Sequence, residues 1–79
     1  MPVLVKLSSS LRRFVPGYNA LAGLHLLHRP GLTVAGVLQE LGITISEVKI
    51  IMVNGVRTGP ERTLTEGDRV GLFPAVGGG

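Results

Sequence analysis

Seventy-nine residues are enough for one hydrophobic core but not two, and an apolar fraction of 44% excludes a disordered chain. The complete lack of cysteine excludes disulfides, thiolate zinc centres and cysteine nucleophiles together. The net charge of +3 is lopsided, with +4 over residues 1–39 (Lys6, Arg12, Arg13, Arg29) and −1 over residues 40–79. A basic half of this kind suits nucleic acid or an acidic surface, although only Arg12 and Arg13 are adjacent and the charges read mainly as solubilising.

Val3, Val5 and Leu7 alternate with Leu4 and Lys6, the pattern of an opening strand with one buried face. Ser8-Ser9-Ser10 interrupts it. Residues 11–15 are expected to form one helical turn capped by serine and closed by Pro16-Gly17. The apolar run 21–28, LAGLHLLH, ends at Pro30-Gly31; its length and flanking turns favour a second strand pairing with the first. Thr33 is placed to cap a helix whose apolar stripe is Val34, Val37, Leu38 and Leu41, with Gly42 and Ile43 as its C-terminal signal.

Val48 to Val53 reads as a β-branched strand, Asn54-Gly55 as a tight turn, and Val56-Arg57 as its brief continuation. Gly59-Pro60 breaks the chain, Glu66-Gly67-Asp68 turns it, and Arg69 to Phe73 is a last short strand beyond which Pro74 cannot donate a ladder bond. One principal helix lying across a mixed sheet of four to five strands is an α+β roll. With Phe14, Tyr18 and Phe73 as its only aromatics, its core must be aliphatic. Residues 1–74 are expected to be the folded domain and 75–79 a flexible glycine tail. The opening apolar run is too short for a signal peptide, and no stretch approaches the roughly 20 apolar residues of a membrane span. A cytoplasmic protein without a membrane partner is the expectation.

Candidate chemistry is sparse. His25 and His28, three apart, would point to opposite faces of a strand, and no third ligand is near, so no metal site is expected. Glu61, Glu66 and Asp68 cluster at turns, where carboxylates are usually solvated. Serines 8–10 have no base at an identifiable spacing. The closing glycines cannot form a phosphate loop, because no helix follows them. The chain alone is therefore not expected to be an enzyme. What remains is FPAVGGG at residues 73–79. Gly77, Gly78 and Gly79 form a filament of bare backbone that fits a channel too narrow for side chains, with Val76 as an apolar contact. Pro74 would fix the direction in which the tail leaves the sheet. Phe73 is either a partner-facing anchor beside the tail or a core residue.

The stretches VKLSSSLRRFVPG (5–17), LTVAGVLQELGI (32–43), VKIIMVNGVRT (48–58) and LTEGDRVGLFPAVGGG (64–79), in this order and spacing, resemble the MoaD/ThiS family of small ubiquitin-like sulfur carriers over nearly the whole chain. The resemblance implies a β-grasp fold. It also implies that the Gly79 carboxylate is adenylated by a ubiquitin-activating-like adenylyltransferase using ATP, takes sulfur from a donor protein as a thiocarboxylate, and passes it to a biosynthetic enzyme. No cofactor would be bound by the carrier itself. Phe73-Pro74 looks like the MoaD branch, whose recipient is the large subunit of molybdopterin synthase in molybdenum cofactor biosynthesis. Ala75 and Gly77 stand where that branch often has proline and alanine. Alternatives are a ThiS-like carrier for thiamin thiazole, a ubiquitin-like protein modifier and, more remotely, a small basic nucleic-acid-binding module.

Overall fold

A computed structural model describes residues 1–75. Five strands form one sheet: β1 (Val3–Leu7), β2 (Leu24–Leu26), β3 (Val48–Val53), β4 (Val56–Thr58) and β5 (Arg69–Pro74), in the order β2-β1-β5-β3-β4. The two strands furthest apart in sequence, β1 and β5, lie side by side and parallel at its centre, while the other pairs are antiparallel. The single α-helix among the described residues, α1 (Val34–Leu41), buries Val34, Val37 and Leu38. They join Val3, Val5 and Leu7 of β1, Ile51 and Val53 of β3 and Val70 and Leu72 of β5 in one aliphatic core. This is the β-grasp arrangement that the resemblance implied.

The helix begins and ends where its sequence dictates. Thr33 takes up extended geometry and its Oγ1 accepts the Gly36 N–H at 3.1 Å. Two more first-turn N–H groups, of Val34 and Ala35, are taken by the carbonyls of Arg62 and Pro60 at 3.0 and 2.8 Å. The 59–65 segment thus completes the helix N-terminus that a single side chain cannot satisfy alone. At the other end Gly42 adopts φ 75°, a left-handed conformation that costs glycine little. The Ile43 N–H then returns to the Leu38 carbonyl at 2.9 Å, with its side chain buried. Asn54 (φ 52°) and Gly55 (φ 81°) make the tight turn between β3 and β4, the geometry that matches the twist of a hairpin.

Two expected elements differ. The second strand covers only Leu24–Leu26 of the expected 21–28. Its first half is consumed by a turn that Asn19 nucleates: Oδ1 accepts from the N–H groups of Leu21 and Ala22, and the Asn19 carbonyl accepts from Gly23. The turn after β1 is a 3₁₀ helix over Ser9–Phe14 and has no serine side-chain cap. Tyr18 secures this region instead, its hydroxyl accepting the Leu7 N–H at 2.8 Å.

At the opposite end of the sheet, Asp68 is 7% exposed. Its carboxylate accepts the Thr65 N–H at 2.8 Å, the Thr65 hydroxyl at 3.0 Å and the Asn54 amide at 2.9 Å. Asn54 in turn accepts the Arg69 N–H at 3.0 Å. The Thr65 backbone bond and these side-chain donors hold the carboxyl below its ordinary range, although burial opposes them. The pair thereby ties the β3–β4 turn to the start of β5.

Candidate functional site: the open sheet face and the root of the tail

Alternation along β5 sends Val70 and Leu72 into the core and Arg69, Gly71 and Phe73 to the face that no helix covers. Cross-strand register assembles that face in rows. One row runs Lys6, Gly71, Met52, Arg57 across β1, β5, β3 and β4, with a cation at each end of an apolar middle. A second brings His25, Leu4 and Arg69 together across β2, β1 and β5. Phe73 lies opposite Ile50 in a third. The absent side chain at Gly71 lets the Phe73 ring fold back over the strand: a Cβ there would stand 3.3 Å from the ring.

Phe73 is 38% exposed and is not a member of the core, which resolves its two sequence readings in favour of the surface. Pro74 is the final residue of β5, paired with Val48. Lacking an N–H, it ends the ladder, two positions past the last β1 partner of β5, Leu72. The last described residue, Ala75, therefore follows the central strand of the sheet, two positions beyond Phe73. Val76, Gly77, Gly78 and Gly79 lie outside the described residues.

The remaining candidates separate. His25 is exposed on the open face, whereas His28 lies beyond β2 with Nε2 2.9 Å from the Leu64 carbonyl. Among the described residues no cluster of three or more metal-ligating side chains occurs, and no helix is long and apolar enough to cross a membrane. The cations of the first half do not form one patch. Arg13 pairs with Glu47 at 2.8 Å and its guanidinium carbon sits 4.7 Å from the centroid of the Phe14 ring. Arg29 reaches Glu40 of the helix at 3.4 Å, and Arg12 Nε donates to the Leu7 carbonyl at 3.1 Å. Glu66 is held below its ordinary range chiefly by its bond to the Met1 ammonium, at 2.6 Å. A groove of about 570 Å³ runs beside α1, with Ala35, Leu38, Ile43, Ile45 and Pro60 in its walls, but no titratable side chain lines it.

A five-stranded sheet with a parallel central pair, one helix on a single face and a final strand issuing from the centre define a small ubiquitin-like protein. The chain belongs to the Mut7-C ubiquitin family, whose model matches residues 1–77. No curated protein matches the chain significantly. Among solved structures it is similar to SAMP1 from Haloferax volcanii, with 19% identity, a TM-score of 0.73 and complete coverage of both chains. It is also similar to a Pyrococcus furiosus protein described as molybdopterin converting factor, subunit 1, with 21% identity, a TM-score of 0.70 and coverage of 96% of this chain and 99% of that one. Urm1 from Trypanosoma brucei matches at 17% identity and a TM-score of 0.69, over 99% and 95% of the two chains. At these identities the likeness establishes the shared fold. The family to which the chain belongs is a named ubiquitin-like one, in keeping with the expected resemblance.

Proposed function

We propose that this protein is a MoaD-like sulfur carrier whose reactive group is the carboxylate of Gly79. The observation that carries this reading is the exit of the chain from the central strand, beside a surface phenylalanine, into the sequence AVGGG. A tether rooted on a rigid strand lets a partner grip the body while the tip enters its active site. The ubiquitin-like family and the fold shared with the converting-factor subunit support the same reading.

In the proposed cycle, an oxygen of the Gly79 carboxylate attacks the α-phosphorus of ATP on a ubiquitin-activating-like partner. Pyrophosphate leaves and an acyl-adenylate forms. A sulfur nucleophile, hydrosulfide in the simplest case, adds to the acyl carbon, and AMP departs with the bonding pair. The thiocarboxylate is then the sulfur source for a recipient enzyme, with the large subunit of molybdopterin synthase as the favoured one. The carrier itself contributes no acid or base to these steps. Gly77 and Gly78 allow passage through a narrow channel, Val76 contacts its wall, and Phe73 and Pro74 rest against its mouth.

Incubation with ATP, sulfide and the adenylating enzyme encoded by the same genome tests the cycle by intact mass. The expected product is heavier by the exchange of one oxygen for sulfur, and deletion of Gly79 abolishes it without changing the melting curve. An isopeptide-linked product in place of the thiocarboxylate would transfer the assignment to a protein modifier. An unmodified chain would overturn the proposal.

A further inference from the structure

The sheet has two free edges, β2 and β4, each three residues long, and they are defended differently. An edge strand presents a row of unpaired N–H and C=O groups, which proteins commonly guard with charge. β4 carries the exposed Arg57 at its centre. β2 has His25 in that place, and residues 14–28 around it contain no Asp, Glu, Lys or Arg. Lys6, on the neighbouring β1, already donates to the Leu21 carbonyl at 2.9 Å. Beyond its ladder with β1, the segment 24–28 makes no backbone–backbone hydrogen bond among the described residues. The two most exposed large apolar side chains among those residues flank this same edge, Leu21 at 92% and Leu27 at 86%.

We infer that β2 is a self-association edge, and that its occupant is β2 of a second copy, paired antiparallel about His25. A row of unpaired backbone groups is satisfied by another strand, and antiparallel pairing about a two-fold axis makes one edge complementary to itself. With His25 opposite its own copy, Leu24 of one chain faces Leu26 of the other. Both leucines already lean on the core within each chain, so their contact extends the two cores toward each other. Leu27 in this register faces Gly23. A Cβ at Gly23 would stand 2.9 Å from Leu4 Cδ1, so the position opposite Leu27 is kept free of a side chain. Charge favours the same occupant. A strand selected by its charge finds no opposite charge in residues 14–28, whereas two identical neutral edges meet without like charges opposed. The axis stands perpendicular to the sheet, so the two five-stranded sheets become one with both helices on the same side. β1 separates β5 from the junction, which leaves both tail roots uncovered. The interface is small by the standard of stable dimers, and association is therefore concentration-dependent. The inference stands apart from the carrier reading.

Sedimentation equilibrium of the full-length chain over a wide concentration range tests the association. The native mass should climb toward twice the monomer value, and His25→Gln should follow the native curve. His25→Glu sets two carboxylates directly across the axis and should raise the dissociation constant at least about tenfold, with an unchanged circular dichroism spectrum. Leu27→Glu, at a side chain exposed in the monomer, should weaken association in the same sense and serves if His25→Glu fails to fold. The chain has no cysteine, so a single introduced thiol can bridge only to its own copy. Paired residues on facing strands lie within disulfide reach. His25→Cys should therefore give a linked dimer when a thiol oxidant is added, while Val56→Cys on β4 should stay monomeric. A native chain that remains monomeric up to its solubility limit would overturn the inference. So would native-like association by both glutamate variants, or linking of Val56→Cys as readily as His25→Cys.

Discussion

Along β5, neighbouring residues live in different worlds. Val70 and Leu72 are 1% and 0% exposed beneath the helix, while Phe73, one position on, is 38% exposed on the other side. The inner set is aliphatic and interlocked with three other elements. The outer set, Arg69, Gly71 and Phe73, is chemically mixed and packs against little beyond its own sheet. One strand therefore performs two separable tasks. Its even-numbered positions hold the domain together, and its odd-numbered ones are free to be chosen for recognition.

That separation can be broken from the inside first. Leu72→Ala should cost about 3–4 kcal/mol, the transfer of a buried leucine plus the cavity it leaves, and denaturant unfolding measures it. A cost below about 1 kcal/mol would mean that β5 is less central than its burial implies. Asp68→Ala comes next, at about 2 kcal/mol, because it strands the Thr65 N–H and the Asn54 amide without their charged acceptor. The native Asp68 carboxyl titrates below its unfolded counterpart, so the unfolded chain takes up the proton first on acidification. Its contribution should be fully present at neutral pH, decline below about pH 4 and be lost once the folded carboxyl protonates. The difference in unfolding free energy between native chain and variant should shrink over that interval. The smallest stability effect belongs to Phe73→Ala, about 1 kcal/mol or less, yet the variant should dissociate from the activating enzyme several-fold faster. Equal losses in folding and binding would erase the distinction between the two sides.

Local signals proved readable where one short segment decides the outcome. Thr33 and Gly42 delimit the helix by bonds within five residues, and Asn54-Gly55 sets its own hairpin. The central strands followed from alternation and β-branching. The shortened β2 did not, because Asn19 takes three successive N–H groups, two with its side chain and one with its carbonyl, while their hydrophobicity still reads as strand. Asp68 was recognisable as a turn residue, but its partnership with Asn54 depends on how β3 and β5 align. The same reason hid the make-up of the open sheet face. Lys6, Gly71, Met52 and Arg57 become neighbours only through three strand registers, each set by the core on the other side of the sheet. Phe73 and Pro74 could be picked out beforehand since their position beside the tail is a matter of sequence alone.

The parallel β1–β5 pair has a consequence for how the protein comes into being. Until residues 69–74 have left the ribosome, the strand that belongs in the middle is missing, and β1–β2 and β3–β4 are two hairpins with nothing between them. Closing so long a loop is entropically slow, and synthesis at about 5–20 residues per second gives the hairpins time to wait with unpaired edges. The central strand is thereby the last of the five to be made. A chain that stops short of β5 lacks the strand that joins the two hairpins and is expected to stay unfolded and open to proteolysis.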